Sequence, residues 1–372
     1  MLAPAVDDAI DFSRIQRVLV TKLRHHGDVL LTSPVFTVLK RAAPHAEIDA
    51  LVYRETLPML ARHPGIAELH SIDRGWKREG ALAQLRAEWG LWRRLRRRRY
   101  DLVVHLTEHP RGAWLRRLVG APYGVAPERA DAGRWWRDSF THRYLPPPPG
   151  RHRHTVEVNL DALRRLGLWP ADDEKRLVLV PGPEAEGRAA ALLASHGLER
   201  GRYIVVHPGS RWLFKCWPAQ ATAAVIDRLA EDGWPIVLTG APDPAEQALV
   251  EAIRNATQTP VVDLSGRISL SELGALIGGA RLFFGVDSAP MHMAAAMGTP
   301  TVVLFGPSGD ADWGPWRVPH RIVASTAFPC RPCGNNGCGG SNHSDCLLTL
   351  PVAHVSAAVE ELLAETSGLQ QP

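Results

Sequence analysis

Residues 282–305 read LFFGVDSAPMHMAAAMGTPTVVLF and decide the fold. The runs 282–286 and 301–305 are short, apolar and rich in aromatic or β-branched side chains, which is typical of buried strands. Between them, the stretch 290–296 predicts a helix, because Pro290 fits the first turn of a helix. A strand, a helix and a second strand in this order predict two parallel strands joined by a helix.

The same alternation extends over most of the chain. The N-terminal half predicts strands at 17–23, 48–53, 69–72 and 101–106, and helices at 33–43, 56–62, up to about 99, and 156–166. The C-terminal half predicts further strands at 177–180, 203–207, 236–239 and 261–264, and helices at 218–231, 244–255 and 270–277. Only 126–150, with four consecutive prolines, breaks the rhythm and is interpreted as an irregular connection. The pattern favours an α/β fold with two doubly wound halves.

Length and composition agree with two domains. The chain has 372 residues, of which 45% are hydrophobic and 22% charged, and it is too long for one ordinary core. We expect an N-terminal domain over 1–170, a C-terminal domain over 171–350, and a final helix and tail over 351–372. No apolar stretch of about 18 residues is present, and the first 13 residues resemble no secretory signal. We therefore expect a soluble, cytoplasmic protein.

Polar loops follow predicted strands, where ligands of open α/β sheets bind. The loop 24–28 (RHHGD) contains Asp28, which either projects into the mouth of its domain or caps a helical turn. The loop 207–211 (HPGSR) offers backbone N–H groups suited to a diphosphate. Three polar side chains there add to this chemistry: Ser210, Arg211 and Lys215. A solvated loop with incidental cations is the alternative.

The third loop, 285–292 (GVDSAPMH), joins a predicted strand to a predicted helix. Asp287 or Ser288 can cap that helix, whose free N–H groups and positive dipole end then form an anion site. His292 lies about one turn beyond Ser288, on the same side of the helix. It could therefore reach a phosphate or sugar oxygen, although a lone histidine is usually structural.

Three ordered segments carry a resemblance to a known family. RVLVTKLRHHGDVLLTSP at 17–34, HPGSRWLFKCWP at 207–218 and GVDSAPMHMAAAMGTPTVVLFGP at 285–307 resemble the ADP-heptose:lipopolysaccharide heptosyltransferases. The cysteine-rich ending at 330–351 is most similar to the heptosyltransferase III branch, which adds the side-branch heptose. The resemblance implies a GT-B type fold, in which two Rossmann-like doubly wound domains face each other across a cleft. The N-terminal domain would bind the acceptor, and the C-terminal domain the nucleotide sugar.

The family activity implied by this resemblance is inverting transfer of heptose from ADP-heptose to the inner core of lipopolysaccharide. Asp28 occupies the place of the family's proposed general base, and Lys215 that of its phosphate-contacting lysine. The N–H groups of Ser288 and Ala289 would share the charge of the leaving diphosphate. The acceptor would be met at the inner membrane surface.

Further donor contacts are also implied by the resemblance. Asp287 matches the residue at the heptose pocket, and His292 the histidine near the diphosphate. Glu246 falls close to the ribose-binding glutamate, and Ile268 at the position that packs on adenine, with an ordinary core isoleucine as the alternative. Two other functions stay open: transfer from a different nucleotide sugar, and non-catalytic binding of a nucleotide sugar or anionic lipid. The presence of both Asp28 and Lys215 favours the enzyme.

No DxD pair lies in a phosphate loop, so we expect no catalytic metal and no cofactor. The spacing C-x2-C-x4-C-x7-C could hold structural zinc, with a reduced, metal-free loop as the alternative. Its four cysteines are Cys330, Cys333, Cys338 and Cys346.

The most basic stretch of the chain contains six arginines between positions 93 and 99, beside Trp89 and Trp92. It is interpreted either as a solvated helix face or as a surface peripheral to the anionic inner leaflet. No nucleic-acid recognition motif accompanies it, so no nucleic-acid partner is expected.

Overall fold

Each half of the chain forms its own parallel sheet. The computed structural model describes residues 6–78, 80–148 and 150–368. The chain divides into two compact units, Met1–Val178 and Leu179–Pro372. Each unit contains one six-stranded sheet with parallel pairing throughout. The α/β prediction with two doubly wound halves is therefore confirmed.

The first unit has the strand order β3-β2-β1-β4-β5-β6. Its strands are β1 (Arg17–Lys22), β2 (Glu47–Tyr53), β3 (Glu68–Ile72), β4 (Leu102–His105), β5 (Tyr123–Pro127) and β6 (His142–Tyr144). Its helices are α1 (His26–Leu30), α2 (Ser33–Ala42), α3 (Ala81–Arg98), α4 (Arg111–Val119), α5 (Arg134–Arg137) and α6 (Thr155–Arg164).

The second unit has the order β12-β11-β10-β7-β8-β9. Its strands are β7 (Ile204–His207), β8 (Ile236–Leu238), β9 (Val262–Asp263), β10 (Leu282–Val286), β11 (Thr301–Phe305) and β12 (His320–Ala324). Its helices are α7 (Pro183–Ser195), α8 (Ala219–Glu231), α9 (Pro244–Ala256), α10 (Leu270–Gly279), α11 (Ala289–Met297), α12 (Asp310–Trp313), α13 (Asp345–Leu348) and α14 (Val352–Glu365). Among the residues that the structure describes, no helix is long and apolar enough to cross a bilayer.

Several predicted elements are wrong. The predicted strand at 177–180 is irregular, and the Val178 N–H donates to the Ser33 hydroxyl at 2.9 Å rather than to a neighbouring strand. The predicted helix at 56–62 is a 3-10 turn, Arg54–Met59, with Pro58 inside it; proline lacks the N–H that an α-helix would need. The segment 126–150 is more regular than expected, since it holds the end of β5 together with α5 and β6.

The start of the first unit also differs from expectation. Residues 26–30 form α1, where the sequence predicted a loop, and α2 begins one residue early, with Thr32 rather than Ser33 as its N-cap. Helices α4 and α7 and strand β12 were not predicted. β12 is half-buried along its whole length, so it lacks the continuous apolar run that marks a central strand.

Both sheets are buried between helices, as the apolar strands require. In the first unit Leu19 and Val103 pack against Leu91 and Leu95 of α3. In the second unit Val206 and Phe284 of the sheet belong to the same buried core cluster as Leu229 of α8. Each such fully buried side chain contributes about 1.5–3 kcal/mol of transfer free energy, which fixes the sheets as the frame for the loops at their ends.

A histidine is buried at the carboxyl end of β4. The His105 Nδ1 lies 2.5 Å from the Thr21 hydroxyl, and its Nε2 lies 3.1 Å from the Thr107 hydroxyl. Helix α4 packs directly over the ring, since a Cβ on Gly112 would lie 2.1 Å from it. Burial lowers the pKa of His105 to about 3, so the ring is neutral in the folded protein at ordinary pH.

This burial predicts acid sensitivity. A histidine of the unfolded chain has a pKa of about 6.5, so the unfolded state takes up the proton first as pH falls. The stability that neutral His105 contributes is complete above about pH 6.5 and is lost as pH falls towards about 3. When the pH falls from about 7 to about 4.5, the free energy of unfolding should decrease in both proteins. The decrease should be smaller in His105→Gln than in wild type, by on the order of 2 kcal/mol.

Urea denaturation at the two pH values measures this difference. His45→Gln is the matched control, because His45 is exposed, and it should follow wild type. An equal acid-induced loss in wild type and His105→Gln would contradict a neutral, buried His105.

Candidate functional site

Two polar loops of the second unit lie side by side because their strands do. β7 and β10 pair in parallel, with His207 opposite Gly285, so the loops after both strands leave the same edge of the sheet. The strands approach closely at this point, since a Cβ on Gly285 would lie 2.7 Å from the His207 carbonyl oxygen. Glycine at 285 therefore permits the contact that brings the two loops together.

An ion pair joins these loops. The Lys215 Nζ lies 2.6 Å from the Asp287 Oδ2, and both side chains are largely shielded from water. The Ser210 hydroxyl donates to the Asp287 carbonyl oxygen at 3.5 Å. A buried carboxylate needs a counter-charge, so Asp287 holds the Lys215 ammonium at the sheet edge. The second loop and the third loop of the sequence prediction thus form one group.

The start of α11 lies in the same group. Ser288 is its N-cap residue, but the side chain makes no capping hydrogen bond. The Ser288 Oγ is buried without a hydrogen-bond partner in the described residues. Ala289 is the first helical residue, and His292 is buried within the first turn. A buried hydroxyl without a partner costs free energy, so its position beside Lys215 and a positive helix end suits an anionic or hydroxylated ligand.

Glu246 borders this group from the next helix. It lies in the first turn of α9, where Asp243 caps the helix, and its Oε2 accepts the Ala241 N–H at 3.1 Å. Burial raises the pKa of Glu246. A Cβ on Gly209 would lie 2.5 Å from the Glu246 carboxylate, so the glycine lets the second loop pack against this side chain.

The neighbouring His207 is structural. It is buried with its Nδ1 2.9 Å from the Thr239 hydroxyl, and burial lowers its pKa to about 4. The two remaining predicted donor residues lie further out. Arg211 is exposed, with its guanidinium 5.3 Å from the centre of the Trp212 ring, and Ile268 is half-buried just before α10.

Asp28 lies in the first unit, half-buried in α1. Its Oδ2 accepts the His25 N–H at 3.3 Å, so the carboxylate caps the first turn of this short helix. The capping role that the sequence left open is therefore present in the structure. It holds the carboxylate in place just beyond the carboxyl end of β1.

Sequence reasoning missed a buried cation behind Asp28. Lys22 ends β1, and its Nζ donates to the Leu106 carbonyl and to the Asn159 Oδ1, both at 3.0 Å. Burial lowers the pKa of Lys22 to about 8, while the charge of Asp28 acts in the opposite direction. The available signal in the sequence was a lysine at the end of a largely apolar, buried strand.

A cavity of about 320 Å³ also escaped prediction. It lies beyond the carboxyl ends of β2, β3 and β4 in the first unit. Its wall combines aromatic, cationic and acidic side chains, which are Tyr53, Ile72, Asp73, Arg74, Trp76, Gln84, Glu88, His109 and Arg111. Aromatic faces and paired charges in one cavity suit a polar ligand such as a sugar.

The cysteines do not assemble a coordination shell by themselves. Cys346 is buried, whereas Cys330, Cys333 and Cys338 are exposed. Burial raises the pKa of the Cys346 thiol, and Cys338 and Cys333 lie close enough to add to the shift. Within the described ranges, no three of these sulfurs lie at metal-ligating distances from one another.

Among the described residues, Asp49, Glu68 and His70 have potential metal-ligand atoms within 4.8 Å of one another. Asp49 already accepts two hydrogen bonds from Arg98, at 2.8 and 3.0 Å, and one from Tyr100 at 2.7 Å. A guanidinium thus occupies the position where a metal ion would bind. We interpret this cluster as a structural ion-pair network.

Two units, each built on a parallel six-stranded sheet, agree with a GT-B type fold. Residues 88–342 match the sequence family described as glycosyltransferase family 9 (heptosyltransferase). The chain is 37% identical to an Escherichia coli protein named lipopolysaccharide heptosyltransferase 3, over 93% of this chain and 99% of that one. It is 29% identical to lipopolysaccharide heptosyltransferase 1 of Pseudomonas aeruginosa, over 87% of each chain. The chain therefore belongs to glycosyltransferase family 9, the heptosyltransferases.

Solved structures agree with this fold. A family 9 glycosyl transferase from Veillonella parvula has a TM-score of 0.80 at 24% identity, over 96% of this chain and all of that one. The Escherichia coli ADP-heptose lipopolysaccharide heptosyltransferase II has a TM-score of 0.74 at 20% identity, over 95% and 100%. An Escherichia coli heptosyltransferase solved with ADP has a TM-score of 0.69 at 19% identity, over 93% and 100%.

Proposed function

We propose that this enzyme transfers heptose from ADP-heptose to the inner core of lipopolysaccharide, as the side-branch heptose III. The observation that carries the proposal is the Lys215–Asp287 ion pair beside the unpartnered Ser288 hydroxyl at the start of α11. The likeness to the heptosyltransferase 3 sequence supports the choice of heptose. Domain roles follow the family: residues 1–170 bind the acceptor, residues 171–350 bind the donor, and residues 351–372 form a C-terminal helix and tail.

The chemistry is a direct displacement. The acceptor hydroxyl oxygen attacks the anomeric carbon of the donor, the bond from that carbon to the diphosphate oxygen breaks, and ADP leaves. Asp28 takes the hydroxyl proton on its Oδ1, while the His25 N–H holds the Oδ2. Attack from one face inverts the anomeric configuration. The buried Lys22 lies close enough for the charge of Asp28 to oppose the lowering of the Lys22 pKa, so the two groups interact electrostatically at the end of β1.

The leaving group determines what the second unit must supply. Negative charge grows on the β-phosphate as the bond breaks, and preorganised positive charge stabilises that transition state. We assign this role to Lys215 and to the N–H end of α11 at Ser288 and Ala289. Asp287, His292 and Ser210 line the heptose and diphosphate positions. Because these groups provide the charge, the proposed reaction needs no catalytic metal.

Other side chains complete donor and acceptor binding in this proposal. The Glu246 carboxylate accepts hydrogen bonds from the ribose hydroxyls, and Ile268 packs on adenine. Arg211 lies at the outer edge of the diphosphate position. In the first unit, the cavity beside Tyr53 and Trp76 receives the acceptor sugar. Aromatic rings pack on sugar faces, and the cavity arginines attract acidic or phosphorylated groups of the core.

Transfer from ADP-L-glycero-D-manno-heptose to a defined, truncated core acceptor, without added metal, tests the proposal. Wild type should transfer heptose, and Asp28→Asn should lower kcat/KM by at least about a hundredfold because the general base is lost, while ADP binding is retained. Asp172→Asn, at another aspartate of the first unit, is the control and should match wild type.

Three outcomes would contradict this account. Full activity of Asp28→Asn would remove Asp28 as the base. Absence of transfer by wild type despite ADP binding would favour a different nucleotide sugar or a non-catalytic binding protein. Transfer only after metal addition would instead contradict the electrostatic role given to Lys215 and α11.

We further propose that the four cysteines bind one structural zinc ion. Cys333 and Cys338 both lie near Cys346, and the Asp345 N–H donates to the Cys338 sulfur at 3.5 Å. A bound cation would stabilise their thiolates and draw the loop together. Metal analysis of protein purified without chelator should find one zinc per chain, lost in Cys346→Ser. Chains without stoichiometric zinc would show that the loop is reduced and metal-free.

A further inference from the structure

Helix α3 has two apolar sides, and only one of them is buried. Leu91 and Leu95 pack into the core of the first unit. A second row, spaced by three and four residues, faces solvent: Leu82 is 72% exposed, Leu85 63% and Trp89 58%. An amphipathic helix normally has a single apolar side turned to the core. The second row is therefore an unpartnered apolar surface.

The exposed row continues onto the next two helices. The Trp92 indole N–H donates to the Leu118 carbonyl at 3.2 Å, which joins α3 to α4. On α4, Trp114 is 58% exposed and Leu118 is also exposed. Trp114 packs on Trp135 of α5, with ring centres 4.6 Å apart. Three helices thus present one surface of exposed aromatic and leucine side chains.

Arginines surround these apolar side chains. α3 contains six arginines and one glutamate. Arg86, Arg93 and Arg97 are spaced by seven and four residues, lie along the exposed row and are themselves exposed. The Arg117 guanidinium lies 5.5 Å from the Trp135 ring centre on the adjoining helix. Two acidic groups of these helices are each paired with an arginine: Glu88 lies 3.0 Å from Arg111, and Asp138 lies 3.4 Å from Arg134.

We propose that this surface docks on an anionic lipid bilayer. We call it the tryptophan–arginine surface, formed by Leu82, Leu85, Trp89, Trp114, Leu118 and Trp135 with their surrounding arginines. Tryptophan and leucine enter the interfacial region of a bilayer while arginines bind anionic headgroups, and this combination is what a membrane-surface helix requires. The proposal rests on the proposed function, in which the acceptor is a lipid-linked sugar.

The charge and apolar character of the tryptophan–arginine surface disfavour two other partners, a second copy of the chain and a nucleic acid. A second copy of the chain would bring two arginine-rich surfaces together, and like charges repel. A nucleic acid would satisfy the arginines but would leave the exposed leucines in water. Only an anionic surface with an apolar interior accommodates both kinds of side chain.

The position of the surface agrees with the acceptor cavity. Gln84 and Glu88 of α3 and Arg111 of α4 line that cavity. The same two helices carry Trp89 and Trp114 on their exposed sides. Docking through the tryptophan–arginine surface would therefore hold the cavity at the level of the headgroups, where the sugars of a lipid-linked acceptor lie.

Vesicle flotation with the full chain tests the proposal. Wild type should bind vesicles containing phosphatidylglycerol, bind phosphatidylcholine vesicles far less, and be released by salt. Arg93→Gln/Arg97→Gln should weaken binding by about thirtyfold, and Trp89→Ala/Trp114→Ala by at least about tenfold. Arg188→Gln/Arg202→Gln in the second unit and Trp169→Ala are matched controls and should bind as wild type does.

Activity on a deacylated, water-soluble core acceptor separates this proposal from the proposed function. Both variants of the tryptophan–arginine surface, the double arginine and the double tryptophan substitution, should transfer heptose to that acceptor as wild type does. This activity would also show that they are folded. Failure of wild type to transfer would contradict the proposed function alone, since vesicle binding is measured independently. Wild-type chains that ignore anionic vesicles, or patch variants that bind as wild type does, would overturn the docking surface. The docking surface would also be overturned if wild type formed dimers and the substitutions dissociated them without changing vesicle binding, because the surface would then be an interface between two copies of the chain.

Discussion

Parallel pairing of the strands is the constraint on which the rest of the structure depends. All strands of a parallel sheet end at the same edge, so the polar loops that follow them must gather there. In the second unit the pairing of His207 with Gly285 brings together two loops that are far apart in the chain. Lys215 and Asp287 meet only because of that register. In the first unit the same rule gathers Asp28, Lys22 and the cavity at the carboxyl edge.

In the second unit, Lys215, Asp287 and Ser288 together form a site suited to an anion. Asp287 compensates Lys215 in a site that is largely closed to water, so the ammonium is in place before a ligand arrives. Ser288 leaves a buried hydroxyl without a partner among the described residues, next to the helix start. A diphosphate would satisfy both groups at once. Such preorganised charge is what departure of a nucleoside diphosphate demands, and it explains how the proposed transfer can proceed with side chains and a helix end alone.

The sequence predicted the framework well because periodicity reports burial. The strands β10 and β11 match their predicted bounds, since both are continuous apolar runs. Elements without that signal were missed, such as β12 at the sheet edge and α4, whose glycine packs on His105. Likewise, sequence named Lys215 and Asp287 separately but gave no sign of their pairing. Contacts of this kind, and the burial of Lys22, depend on tertiary packing that no local pattern encodes.

Calorimetric binding of ADP and of adenosine to wild type and Lys215→Met tests the central claim most directly. If Lys215 is held by Asp287 to receive the diphosphate, ADP affinity should fall by at least about tenfold in the variant, because a charge-assisted hydrogen bond is lost. Adenosine affinity should stay unchanged, since adenosine has no phosphate. Equal weakening of both ligands, or of neither, would contradict the claim that this ion pair forms the diphosphate site.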